Sequence, residues 1–600
     1  MNSDHVHTHP ISDVLRVLAG QDDSPTHLDR IQMRLDESRR VDLESATVII
    51  ASWENRFAAA GGVRAVTREY AAHLTSANRK VRVLTPLHTG LGTPPGPIQL
   101  VSVLWHDFEG VRRRVEVLEA NWAGVRWVYV HSEGFFCADG GRDRSNPYIY
   151  ASDDTGPANT SPQLVRDCLF YATVAPKVLG ALHLVDNLVI HLQDWETAGV
   201  ALSVKSAVLR KDIAHAISIL VLHNPYDKPL GSDGWAKLTD LPEPRDTPAT
   251  FLGRMLPFVD APPATVSREF AADLVGDPLQ TACLADHLQR QFACCKPIGV
   301  DNGPFETVAP AFSVAAINDA RNGMPSAILA EKQMHRNAMK RKMAEDQPAG
   351  RWGNVDFESL EDDVPVFMCV GRLDPGQKGF DVVARAIETA LRGGFNARFV
   401  LAPILGSAPQ PFIDDLEALG LMFSGRVVVY PFRMEEGYFE TQRGSTFSIW
   451  PSMYEPFGGV SEFLLRGTPV IARSTGGLRQ QVVTFDPSTG LGNGILYKAG
   501  TPDDIAAGPA GDEWRSLLAE PIPANRNQPK YPAYLDQVEK LVGSIKTAMG
   551  LFQDAQAYGR LLSNAPGSVD GYSWERAASE YASLYETARR ADLLVAQRVG

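Results

Sequence analysis

Arg372 and Lys378 are the two side chains of this sequence whose type and spacing best suit chemistry. They sit in the glycine-bearing stretch Gly371-Arg372-Leu373-Asp374-Pro375-Gly376-Gln377-Lys378-Gly379. The apolar run Val366 to Val370 precedes it and reads as a buried parallel strand. The amphipathic run Phe380 to Leu391 follows and reads as a helix. Open α/β sheets bind ligands at the carboxyl ends of their strands. Two fixed cations at such a place suit a diphosphate, whose charge must be neutralised when a phosphate ester departs. The same composition also fits an ordinary surface turn.

Other candidates fall at similar positions. Glu455 lies just past the strand-like Phe447 to Trp450, and Glu462 follows it on the next helical stretch. A buried glutamate at a strand end can accept hydrogen bonds from sugar hydroxyls, and Glu-Pro can equally open a helix. Gly61-Gly62 and Thr475-Gly476-Gly477 each stand where a strand gives way to a helix. A Gly-Gly pair there lets a ligand approach the backbone and leaves helix amides for an anion, or makes a plain tight turn. Asp194 and His223 each end a strand-like run in the first half. Neither Gly-x-Gly-x-x-Gly nor a Walker A sequence is present.

A chain of 600 residues is too long for one core, so two large domains are expected. Alternating strand-like and helix-like segments run from Ala46 to Ser267 and again from Val366 to Ala472, the pattern of two parallel sheets flanked by helices. Residues 1–44 read as a polar leader or cap. The first domain is expected over 45–345 and the second over 346–575, with an insertion at about 501–570 that includes a helical run from Tyr534 to Leu562. Residues 576–600 make a final helix.

Hydrophobic content of 44% and charged content of 22% describe an ordinary globular protein. The net charge of -13 argues against nucleic acid or an anionic membrane as main partner. No apolar run approaches the ~20 residues that span a bilayer, and Met1 to Pro10 lacks a secretory pattern. The six cysteines include no Cys-x-x-Cys pair, which points to reduced thiols and a cytoplasmic protein. His5, His7 and His9 alternate near the terminus without the makings of a metal site.

In this order, the segments resemble the glycogen/starch synthase family of retaining glycosyltransferases. The most specific part is Ser452 to Leu478, SMYEPFGGVSEFLLRGTPVIARSTGGL, which looks like the family's Glu-Pro-x-Gly to Thr-Gly-Gly-Leu block. VGRLDPGQKG looks like its Arg and Lys diphosphate loop. HLQDW, LHNPYD, TVSREFA, GVDNG and YSWERAASEYASLY fall where the family carries further motifs. The resemblance implies a GT-B fold: an α/β protein with two Rossmann-like domains facing a cleft and a last helix crossing back to the first. It implies transfer of glucose from a nucleotide diphosphate sugar to an α-glucan with retained configuration. It implies that Arg372 and Lys378 clamp the diphosphate, Glu455 contacts the transferred sugar, Asp194 lines the cleft, and His223 approaches the donor sugar. Gly61, Gly62, Gly476 and Gly477 would give amides to the donor, with Thr475 and Glu462 beside them. Asn302 and Tyr148 would be further cleft residues, and Tyr430 would stack on the nucleobase. With cations and amides at the leaving group, no metal cofactor is called for.

The sequence also departs from the family. Ala59 stands where the family has a lysine before the first Gly-Gly, with Arg56 and Arg64 as possible substitutes. Gln193 replaces the second histidine of the His-x-His-Asp-Trp segment, Glu196 follows Trp195, and Phe305 stands where an aspartate often follows Asn-Gly. Two other functions therefore stay open: a GT-B transferase making a disaccharide or small glucoside, and a degenerate glucan-binding protein. Nucleobase and oligomeric state are not set by the sequence.

Overall fold

The computed structural model describes residues 11–20, 22, 24–92, 97–151, 162–238, 242–244, 247–374, 377–406, 408–499 and 532–590. The chain divides into two units. Unit 1 comprises Met1–Val266, Leu284–Gly303 and Trp574–Gly600; unit 2 comprises Ser267–Cys283 and Pro304–Ser573.

Unit 1 is built on β1 (Thr47–Ser52), β2 (Lys80–Pro86), β3 (Gln99–Phe108), β4 (Val111–Trp122), β5 (Val125–His131), β6 (Leu188–Gln193), β7 (Ala216–Leu222), β8 (Ala264–Thr265) and β9 (Ile298–Gly299). Their order in the sheet is β3-β4-β5-β2-β1-β6-β7-β8-β9. From β5 to β9 all neighbours are parallel. The central strands are mostly apolar, and every residue of β6 and β7 is buried, the polar His191, Gln193 and Ser218 included, as a parallel sheet covered on both faces demands. The antiparallel edge β3-β4-β5 was not legible in the sequence, because β4 carries three consecutive arginines, Arg112 to Arg114.

The last helix, Trp574–Arg589, belongs to unit 1 and packs on β7 and on the helix Val63–Ser76. Its buried residues Ala577, Tyr581, Leu584, Tyr585 and Ala588 repeat every three or four positions. The Tyr585 hydroxyl joins two buried partners, Tyr70 Oη at 2.8 Å and His191 Nδ1 at 2.7 Å. Residues 11–38 are a structured part of unit 1 rather than a loose leader. They form the helices Ile11–Ala19 and Pro25–Ser38, the second packed on the helix Gly199–Leu209. Next to them Asp260 is buried between Arg39, at 3.1 Å, and Lys205, at 2.6 Å. His5, His7 and His9 lie outside the described residues.

Unit 2 carries β10 (Trp352–Val355), β11 (Val366–Arg372), β12 (Arg398–Ile404), β13 (Arg426–Val429), β14 (Phe447–Trp450), β15 (Val470–Arg473) and β16 (Gly494–Tyr497). Their order is β10-β13-β12-β11-β14-β15-β16, and only β10 runs antiparallel to its neighbour. Two expectations need correction. The seam expected near residue 345 falls at Gly303, because the helix Ser326–Glu345 packs on the helix Tyr438–Gly444 of unit 2. That helix reads as polar because its buried face includes Lys332 and Arg336, which donate mainly to backbone carbonyls. Nor are the helices Pro532–Gln553 and Ala555–Asn564 an appendage. Tyr534, Leu541, Ile545, Ala548, Leu561 and Leu562 lie in the same apolar core as Phe380, Val383 and Ile387. The rest of the expected insertion, residues 501–531, lies outside the described residues.

Among the described residues no helix is long and apolar enough to cross a membrane, and no group of His, Cys, Asp and Glu is arranged to hold a metal. The Tyr585 hydroxyl gives a test of the packing in unit 1. Tyr585→Phe leaves Tyr70 and His191 without their buried partner, and the cost is about 1–3 kcal/mol. A urea unfolding curve of the full chain will show a lower midpoint with an unchanged slope.

Candidate functional site

In unit 2 the loops after β11 and β14 meet because these strands pair directly, Phe367 opposite Phe447. Met453 N donates to Gln377 O across the two loops, at 2.8 Å. At Gly379 the backbone has φ 65°, and a Cβ there would lie 2.6 Å from Pro451 O. Glycine is therefore required where the phosphate-loop candidate crosses its neighbour. This crossing brings Lys378 to Glu455: Nζ lies 2.8 Å from Oε1 and 2.6 Å from Oε2, and the Ser452 hydroxyl donates to Oε2 at 2.9 Å. The carboxylate is nearly buried, at 4% exposure. Arg372, at the end of β11, donates through Nη2 to Gln377 Oε1 at 2.7 Å, and its guanidinium is 3.9 Å from Asp374. Arg372, Lys378 and Glu455 are thus gathered at one end of one sheet.

The other unit 2 candidates serve the framework. Gly476 N donates to Asp273 Oδ2 at 2.8 Å, and Gly477 N donates to Glu455 O at 2.8 Å. A Cβ at Gly476 would lie 2.2 Å from Glu455 O, and one at Gly477 2.5 Å from Phe457 Cα. Close passage of the 455–457 backbone therefore explains this Gly-Gly pair, and the amides expected for a donor are already bonded within the protein. Arg479 holds the same aspartate and also Glu269, the latter at 2.7 Å. The Thr475 hydroxyl is buried 3.4 Å from Met453 O. Glu462 accepts from Phe305 N at 3.0 Å and from the Ser461 hydroxyl at 3.2 Å, and burial pushes its carboxyl up. Tyr430 is not a platform for a base. It is 3% exposed within an apolar core, edge-on to Phe432, and its phenol is pushed up to about 12 by burial.

In unit 1 the first Gly-Gly turn is organised by Glu54, a residue the sequence reading missed. Its Oε1 accepts from Ala60 N at 3.2 Å, Gly61 N at 3.1 Å and Tyr148 Oη at 3.1 Å, and its Oε2 from Arg64 N at 3.0 Å. The Gly61 amide is thus engaged by the chain itself. No atom lies within 4 Å of where a Cβ at Gly62 would stand, and neither glycine has positive φ. Ala59 N donates to Ser145 O at 2.7 Å. Of the two cations nearby, Arg56 stacks over Trp122 at 4.2 Å and Arg64 donates to Arg56 O at 3.3 Å.

Asp194 has φ 64° and ψ 176°, a backbone region that only glycine enters freely. Such a residue costs about 1–3 kcal/mol and tends to mark functional sites. Its backbone and its side chain are both held by the end of β7: Asp194 N donates to Val221 O at 2.8 Å, and His223 N donates to Asp194 Oδ1 at 3.3 Å. Burial, reinforced by the charge of nearby Glu54, pushes its carboxyl up. Glu196 is raised further still, by burial and then by Asp194, and its Oε2 is buried without a hydrogen-bond partner. Glu54, Asp194, Glu196 and Tyr148 therefore form one buried acidic group. His223 ends this array, its ring held neutral because burial pushes it down to about 3. Asn302 is buried, with its amide on Val266 O at 3.4 Å and its Oδ1 unpartnered. Arg473 was also missed. Buried in unit 2, it donates to Met453 O at 2.6 Å and to Ala499 O at 2.9 Å, fixing the loop that carries Glu455.

Comparison with known proteins gives this geometry a context. Residues 47–255 match the family model of the starch synthase catalytic domain, and residues 364–508 match that of glycosyl transferases group 1. The glycogen synthase of Koribacter versatilis is 25% identical over 89% of this chain and 96% of its own length. That of Myxococcus xanthus is 28% identical over 75% of this chain and 88% of its own. The catalytic domain of Starch Synthase IV from Arabidopsis thaliana, solved bound to ADP and acarbose, superposes with a TM-score of 0.66 at 18% identity, over 91% of this chain and 99% of that one. Two parallel-rich α/β sheets of this order make the fold GT-B. With one model matching within each unit and two glycogen synthases matched over most of their length, the chain is a glycosyltransferase similar to the glycogen/starch synthases.

Proposed function

We propose that this protein transfers glucose from a nucleotide diphosphate sugar, ADP-glucose or UDP-glucose, to an α-1,4-glucan with retention of configuration. The observation that carries the reading is the Lys378–Glu455 pair, with Arg372 beside it, at the carboxyl ends of β11 and β14. Lys378 and Arg372 would receive the diphosphate. As the bond from C1 to the phosphate oxygen breaks, its electron pair passes to that oxygen, and two fixed cations stabilise the growing charge. Glu455, relieved of its lysine, would accept hydrogen bonds from the hydroxyls of the transferred sugar. The glucan hydroxyl would attack C1 from the face the phosphate leaves, its proton passing to the departing oxygen. In unit 1, neutral His223 and Asp194 would serve the donor sugar. Cations from side chains make a metal ion unnecessary in this scheme. Cys137, Cys168 and Cys369 are free thiols, which fits a reducing, cytoplasmic setting.

Incubation with each donor, with and without glycogen, tests the reading. Nucleotide release that depends on glycogen, with longer chains as product, is expected. Release with small acceptors alone would instead identify a maker of small glucosides. Lys378→Ala will lower kcat by about 100-fold or more while the circular dichroism spectrum is preserved; wild-type turnover in that variant contradicts the clamp. Turnover is expected to survive exhaustive chelation by EDTA, and its loss would show that a metal takes part.

A further inference from the structure

Gln193 stands where the family resemblance places a histidine, and it lies against His223. Strands β6 and β7 are parallel neighbours, with Gln193 opposite Val221. His223 follows two residues after Val221, so both side chains emerge at the same end of the sheet. Gln193 Oε1 is 2.5 Å from His223 Nε2, and the two residues are 0% and 6% exposed. An amide oxygen at that distance requires a hydrogen on the nitrogen it faces. A histidine at position 193 could exchange a proton with His223; a carboxamide cannot.

We infer that Gln193 is a positioning residue that holds the His223 imidazole as the Nε2–H tautomer, leaving Nδ1 as the acceptor offered to a sugar hydroxyl. The role of Nδ1 rests on the transferase reading above, while the tautomer does not. The surroundings agree with a fixed ring. Asp194 accepts from the His223 backbone amide. His191, on the same strand as Gln193, is bonded through Nδ1 to Tyr585 and is itself neutral, pushed down to about 3 by burial. Glu54 acts on Asp194 and Asp194 acts on Glu196, burial raises both of those carboxyls, and burial alone pushes the His223 ring down.

The test is nitrogen NMR on the full chain labelled with ¹⁵N-histidine, the His223 signals being assigned by their loss in His223→Ala. In the wild type the ring is expected to be neutral, protonated at Nε2, and silent between about pH 5 and 8. Gln193→Glu puts a carboxylate against Nε2–H, so the ring will take up a proton inside that window and kcat will gain an acid limb. Gln193→Leu removes the acceptor. The tautomer will become mixed and kcat will fall by about tenfold, with the donor KM little changed. A wild-type ring protonated at Nδ1 overturns the inference. So does a Gln193→Leu protein that keeps the wild-type ring signals and kcat, or a Gln193→Glu ring that stays silent. An inactive wild type with the Nε2–H ring would sink the transferase reading and leave the inference standing.

Discussion

The ion pair between Lys378 and Glu455 is the constraint around which unit 2 is arranged. A carboxylate at 4% exposure has lost most of its hydration, and only charge-matched hydrogen bonds can replace it. Lysine supplies two of them and Ser452 a third. To bring Nζ there, the loop after β11 must cross the loop after β14, which fixes glycine at 379. The same crossing carries the backbone of residues 455–457 over the third loop, which fixes glycine at 476 and 477. Arg473 completes the arrangement from beneath by holding Met453 O.

Unit 1 gathers carboxylates instead, and backbone amides and a hydroxyl meet them. Glu54 takes three backbone amides and a tyrosine hydroxyl, so a single side chain sets both the Gly61-Gly62 turn and Tyr148. Asp194 and Glu196 lie within its electrostatic reach, and burial favours their protonated forms. A protonated carboxyl can donate as well as accept, a useful property beside a sugar, whose hydroxyls do both. The strained backbone at Asp194 is tolerable because the end of the neighbouring strand β7 holds it through Val221 O and His223 N.

Much of this was legible from the chain alone. The parallel strands announced themselves as short apolar runs: β11 begins at Val366 as read and extends two residues past Val370, and β14 is the run Phe447 to Trp450 itself. Arg372, Lys378 and Glu455 stood out because each lies at the end of such a run or in the loop that follows it. Glu54 was not, because it looks like any polar residue after a strand until its partners 60, 61, 64 and 148 are seen around it. Tyr430 misled for the opposite reason: an aromatic at a strand end can face a ligand or a core, and here it faces the core.

Local pattern was enough to place the parallel strands and the helices between them, because apolar runs and helical periods act over a few residues. It was enough too for the chemistry available at the strand ends, since the family's motifs are local words. What each group is bonded to came from the fold. The amides of Gly61, Gly476 and Gly477 could have been left for a ligand, but carboxylates and a carbonyl brought from 7, 203 and 22 positions away take them. Likewise Gln193 and His223 are separated by 30 positions, and their contact exists because β6 and β7 lie side by side. Hydrogen bonds over such distances depend on how strands are ordered in a sheet, and no local pattern of residues encodes that order.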